Sequence, residues 1–181
     1  MTVSSMDVAN FYIALFKDSD DPMTKTRLQK FMYFAQAESM ARLNHMLFED
    51  DFEAWHFGPV IPRISVQFQG VKDSEPIKKT KGDYDVHVFS PEQLEVLMDV
   101  ARYCGRYSTT ELSRLTHVPG GPWDSVHSDD GKPAKISKRS IKAFYRAHDI
   151  VPSYTRDAIG HLESEGRIDE RGRLILPEDW E

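Results

Sequence analysis

A single cysteine, Cys104, stands in 181 residues. No disulfide can form within the chain, and no thiolate cluster can hold a metal. No apolar run approaches the roughly 18 to 20 residues that a membrane span requires. The opening residues, MTVSSMDVANFYIALFKD, have no basic start and no small-residue cleavage site, and Asp7 and Asn10 interrupt their apolar stretch. They are not read as a secretory signal, and the cytoplasm is the expected compartment. Neither standard glycine-rich phosphate loop is present; Gly120-Gly121 is not followed by Lys. The histidines lie at 45, 56, 87, 117, 127, 148 and 161, and no two sit at i, i+4 with a Glu between them, so the zinc-protease spacing is missing. His127 and Asp129 are neighbours in a loop, a pair too small to define a metal site. No serine follows a strand and precedes a helix in the manner of a nucleophile elbow. The carboxylates cluster in polar loops with nothing to desolvate them. These absences exclude the common catalytic constellations, so the chain is read as a non-enzyme with no cofactor and no metal.

Hydrophobic residues make up 40% of the chain and aromatics 11%, enough for one ordinary core. The formal charge is −6, which disfavours nucleic acid as a partner of the whole molecule. Charge is unevenly placed. FEDDFE, Phe48 to Glu53, holds four acids, whereas Lys132 to His148 holds Lys132, Lys135, Lys138, Arg139, Lys142 and Arg146 and no acid. Either run can be a solvated face or a partner-steering surface.

Periodicity predicts a largely helical chain. Met6 to Phe16 reads as a helix stopped by Asp18, Asp20, Asp21 and Pro22. Thr24 is placed to cap the strongest helical segment, in which Leu28, Phe31, Met32, Ala35, Ser39 and Leu43 share a face. Tyr33 and Phe34 widen that face, so this helix is expected at the centre, covered on more than one flank. Ser90-Pro91 opens a helix with Leu94, Leu97, Met98, Ala101 and Cys104 inward, ended by Gly105. STTELSRL gives a short capped helix, and Ser137 caps another with Ile141, Phe144 and Tyr145 inward. YDVHVF, Tyr84 to Phe89, alternates as a strand does. After Val151-Pro152, residues up to Gly166 read as a helix followed by two short strands about DERG. The expected fold is α+β and predominantly helical: a compact domain around a central helix, with one or two short strand pairs. The expected division is 1–150 and a C-terminal appendage, 151–181.

EAWHFGPVIPRI, Glu53 to Ile64, concentrates aromatics, a histidine and turn residues. Alternation in EAWHF places Trp55 and Phe57 together, against the central helix, and leaves His56 on the surface. Gly58-Pro59 is expected to end this strand at a tight corner, with Pro59 and Pro62 in the first turn of a following helix.

KTRLQKFMYFAQAESMARLNHMLFEDDFEAWHFGPVIPRI resembles the opening block of the Panacea domain of SocA-like antitoxins and GepA-type phage-associated proteins. STTELSRLTHVPGGPW resembles its second block and ISKRSIKAFYR its closing helix, so the likeness spans about residues 5 to 148. Phe31-Met32 replaces the family's usual Leu pair, and Val118 to Gly121 a turn that is often more acidic. The resemblance implies an antitoxin that neutralises a cognate protein toxin encoded nearby, or that delivers it to a AAA+ protease. Residues proposed for partner binding are Trp55, His56, Phe57, Gly58, Pro59, His117, Trp123, Lys142 and Arg146. A DNA-binding autoregulator is a further alternative, because the C-terminal helix and hairpin read as a recognition helix with a wing. Against it, Asp157, Glu163 and Glu165 accompany one Arg and would repel phosphates.

Overall fold

A computed structural model describes residues 1–129 and 131–154 of the protein, together with the backbone of 167–168 and 174–175. Helix α1, Ser5–Leu15, begins at Ser4, whose hydroxyl accepts from the Met6 N–H. Helix α2, Lys25–Glu38, begins at Thr24, whose hydroxyl accepts from the Arg27 N–H. Every residue of α2 from Arg27 to Glu38 is buried, the polar Arg27, Gln29, Lys30, Gln36 and Glu38 included, so the helix is covered on more than one flank, as expected. It then continues as a π-turn, Ser39–Leu43, rather than as α-helix, and Asn44 ends it in the left-handed region at φ +64°.

The other elements wrap α2. Strands β1, Phe52–Trp55, and β2, Gly58–Val60, form an antiparallel hairpin with Trp55 opposite Gly58. Helix α3, Pro62–Gln67, follows. Helix α4, Pro91–Cys104, and helix α5, Thr109–Thr116, each start at a full capping box, Ser90 with Gln93 and Ser108 with Glu111. Strand β3, Lys135–Ile136, completes a sheet of order β2-β1-β3. Helix α6, Lys138–His148, is capped by Ser137. Helices α1, α4, α5 and α6 and strand β2 all pack on α2. The core between them is rich in edge-to-face aromatic pairs, such as Tyr12 on Phe31 and Tyr33 on Phe52, with ring centroids 5.2 Å apart in both. Each such fully buried side chain contributes roughly 1.5–3 kcal/mol. The predominantly helical α+β architecture is therefore the one expected.

Four local expectations need correction. Val86–Val88 is a 3₁₀ turn, not a strand. The Asp85 carboxylate accepts the His87 N–H, diverting a donor that a ladder would need, and both valines are exposed. Pro59 lies in β2 rather than in a helix; β2 is an edge strand, where a missing N–H is tolerated. In α4 the inward face is Val96, Leu97, Val100, Ala101 and Cys104, with Met98 exposed. That rotation buries Asp99, which Arg42 neutralises. Finally, β3 falls in a segment that reads as loop.

The chain divides into two compact units, Met1–Val151 and Pro152–Glu181. In the second, β4, Arg167–Ile168, pairs antiparallel with β5, Leu174–Ile175. The expected helix before them and the DERG turn between them lie outside the described residues. Among the described residues, no helix is long and apolar enough to cross a membrane.

Candidate functional site

The tip of the β1–β2 hairpin is held by side chains that seize its backbone carbonyls one after another. The Trp123 indole N–H donates to the Trp55 carbonyl at 2.9 Å, and the Ser113 hydroxyl to that of Phe57 at 3.3 Å. The Lys30 amine donates to the Pro59 carbonyl at 3.2 Å. The Gln29 amide both donates to the Ile61 carbonyl, at 3.4 Å, and accepts its N–H, at 2.9 Å. On the approach to β1, Gln36 does the same work: its oxygen accepts from Leu47 and Phe48, and its NH₂ donates to the Phe48 carbonyl. The buried amides of α2 thus stand in for neighbouring strands.

This anchorage leaves the aromatic side chains pointing outward. Trp55 is 36% exposed and Phe57 67% exposed, contrary to the expectation that they face the central helix. Phe52 and Ala54 take the inward phase of β1, and a strand's period of two then sends Trp55 out with Glu53. The Trp55 indole N–H donates to the Glu53 carboxylate at 2.9 Å. Phe57 lies in the turn, beyond the reach of the alternation. His56 is exposed, as expected. Behind the tip lies a cleft of about 320 Å³, lined by Lys25, Gln29, Lys30, Trp55, Phe57 and Val60 among others.

Under the hairpin, Trp123 is sandwiched between two imidazoles, His117 at 3.7 Å and His127 at 4.0 Å between ring centroids. His117 carries a buried Nε2 with no hydrogen-bond partner. Burial first, and then the nearby Lys30 amine, pushes its pKa down to about 4. Burial alone pushes Lys30 down to about 7. Both groups are nitrogen bases kept short of charge beneath an apolar rim.

The structure therefore brings together Trp55, His56, Phe57, Gly58, Pro59, His117 and Trp123, and adds Lys30 and Thr116, which the sequence reading passed over, and His127, which it set only beside Asp129. Lys30 left one trace: it sits in the central helix with Thr26 and Phe34 four residues away on either hand and no acid to pair with. Lys142 and Arg146 lie elsewhere, donating to the Asn44 side chain beyond the π-turn. The two charge runs also meet each other. Asp51 takes Lys135 at 3.0 Å and Lys138 at 3.1 Å, and Lys138 reaches the Glu49 carbonyl as well. Hydrogen bonds from these two lysines hold the Asp51 carboxyl below its usual range.

Lys30 makes the stability depend on pH in a definite sense. Its folded pKa, about 7, lies below the unfolded value near 10.4. Between those values the unfolded chain binds the extra proton, so the fold gains stability as pH rises. Against a Lys30→Met variant, the wild type should gain about 1.4 kcal/mol per pH unit between roughly pH 7 and 10. Urea unfolding of both proteins across that range measures it; parallel curves would refute the buried amine. The difference is needed because Cys104, whose pKa burial raises, works in the opposite direction at the alkaline end.

The arrangement is a hairpin with apolar side chains outside and polar clamps inside. The model of the family described as antitoxin SocA-like, Panacea domain, matches residues 28–124. The curated protein Antitoxin SocA of Caulobacter vibrioides (strain NA1000 / CB15N) is 30% identical over 138 residues, covering 72% of this chain and 73% of that protein. The chain belongs to the SocA-like, Panacea-domain antitoxin family. No solved structure matches it.

Proposed function

We propose that the protein is the antitoxin of a type II pair, in the cytoplasm, and that it neutralises a protein toxin encoded nearby by binding it directly, without turning over a substrate. The observation that carries this reading is the hairpin tip. Trp55 and Phe57 stand exposed beside a cleft, on a backbone whose carbonyls at 55, 57, 59 and 61 are all already hydrogen-bonded by other elements. Aromatic anchors dominate interface energetics, and a loop ordered before binding loses little entropy on docking. The mutual pairing of Asp51 with Lys135 and Lys138 removes much of the charge asymmetry that would otherwise suggest steering by either run. We therefore assign recognition mainly to shape and apolar contact. Lys142 and Arg146 remain candidates for a secondary contact, being basic residues of α6, the first half-buried and the second exposed.

The test is co-expression with the toxin from the neighbouring reading frame, followed by affinity measurement with the purified pair. Phe57→Ala should weaken toxin binding by about 10- to 100-fold, the cost of losing a hot-spot anchor, while the unfolding midpoint stays near that of the wild type. Trp55→Ala should act in the same direction. Full protection of cells and unchanged affinity in the Trp55→Ala/Phe57→Ala double variant would sink this assignment.

A further inference from the structure

A second feature of the hairpin tip involves neither anchor. His56, in the turn between β1 and β2, comes close to His127 and Asp129, some seventy residues further along the chain. One potential ligand atom from each of the three lies within 4.8 Å of the others. They border a small hollow that Ala54, Ser128 and Pro133 also line.

The His127 ring is fixed in two ways. Its face lies on Trp123, with an 18° interplanar angle. Its Nδ1 stands 3.3 Å from the Ala54 carbonyl oxygen. A carbonyl oxygen only accepts, so Nδ1 is the donor in that contact and Nε2 points to the other side of the ring. Metal-binding histidines are oriented in this manner, with one N–H given to a carbonyl and the other nitrogen free to ligate.

What Nε2 faces is the Asp129 carboxylate, at 3.2 Å. Two ligands at about 2.0–2.1 Å from one tetrahedral ion stand about 3.3 Å apart, which agrees with the observed separation. His56 is exposed, and its ring centroid lies 6.5 Å from that of His127.

We propose that His56, His127 and Asp129 bind one divalent transition-metal ion of the zinc class, with the fourth position open to water or to a donor from a bound partner. Two imidazoles and one carboxylate favour zinc, cobalt or nickel over calcium or magnesium, which take oxygen ligands. Such an ion ties the hairpin tip to the segment after Trp123. Viewed from the sequence, only the neighbours His127 and Asp129 are visible as a pair; the third ligand arrives through the fold. The inference is independent of the antitoxin reading and survives its failure.

The experiment uses the full chain with any polyhistidine tag removed, stripped with a chelator and titrated with Co²⁺. The expected result is a saturable visible absorption band of tetrahedral cobalt at one equivalent per chain, displaced by Zn²⁺. Cobalt beside the Trp123 stack should also quench indole fluorescence in step with that band. His56→Gln and Asp129→Asn change exposed side chains and leave the core intact. Each should weaken cobalt binding by more than about tenfold, since loss even of a supporting contact costs 10- to 100-fold. His45→Gln, on another face, should leave it unchanged. The proposal is overturned if no saturable band forms up to millimolar Co²⁺. It is equally overturned if binding persists undiminished in the His56→Gln and Asp129→Asn variants.

Discussion

Replacing Arg42 by alanine should lower the stability of the fold by about 3–5 kcal/mol near neutral pH, the cost of stripping one partner from a buried ionic cluster. Arg42 closes the gap between three segments. Its Nε meets Glu38 at 3.0 Å, its Nη1 meets Asp99 at 2.6 Å, and its Nη2 donates to the Val151 carbonyl. The Glu38 and Asp99 side chains are 2% and 0% exposed, so removal of the guanidinium takes a charged partner from two buried carboxyl groups.

The loss has a pH signature. Burial pushes Glu38 up to about 7, although Arg42 pulls it down. Its folded pKa therefore exceeds the unfolded value near 4.3, and the folded state holds the extra proton between them. Stability associated with Glu38 falls as pH rises through that window. Without Arg42 the window widens upward, so the deficit of Arg42→Ala should be largest above pH 7 and shrink as the solution is acidified towards pH 5. Adding Glu38→Gln should recover part of it. Urea titrations at pH 5.5 and 8 decide the matter; a deficit below about 1 kcal/mol at both would mean that water reaches the cluster.

Gly58→Ala should cost about 2–4 kcal/mol and disturb the hairpin tip together with the fold. Gly58 has φ +103°, where side-chain-bearing residues are strained. A Cβ there would lie 2.6 Å from the Lys30 amine and 2.7 Å from the Thr116 hydroxyl. Neither neighbour can withdraw without loss, because Lys30 holds the Pro59 carbonyl and Thr116 donates to the Ser113 carbonyl at 2.8 Å. Thr116→Ala in the same chain relieves one of the two collisions but not the backbone strain, so the double variant should regain only a part of the loss. Denaturant unfolding of the three proteins measures both contributions. A Gly58→Ala protein as stable as the wild type would show that the hairpin adapts to a side chain.

Much of the scaffold was legible in the residue order because it is locally determined. The caps at Thr24, Ser90, Ser108 and Ser137 depend on a few adjacent residues, and each is realised. The apolar face from Leu28 to Leu43, widened by Tyr33 and Phe34, foretold a helix covered on more than one flank. What escaped was set by partners distant in sequence. The phase of β1 follows from Phe52 and Ala54 packing inward, whereas the large aromatics suggested the opposite phase. Two-residue β3 exists only because β1 lies beside it, and no periodicity can announce so short a strand. Asp99 reads as the solvent side of α4 until Arg42 is seen facing it. At the site, Trp55, His56 and Phe57 were visible as a composition anomaly, but the clamps from Lys30, Ser113 and His127 appear only after folding.

The burial of α2 on every side also bears on how the molecule is made. Only α1 precedes it in the chain; the residues that shield its remaining flanks run from Leu47 to Tyr145. A ribosome that has released half of the chain has therefore exposed this helix without most of its wrapping. Such an intermediate is a natural client for holding chaperones and a natural victim of proteases.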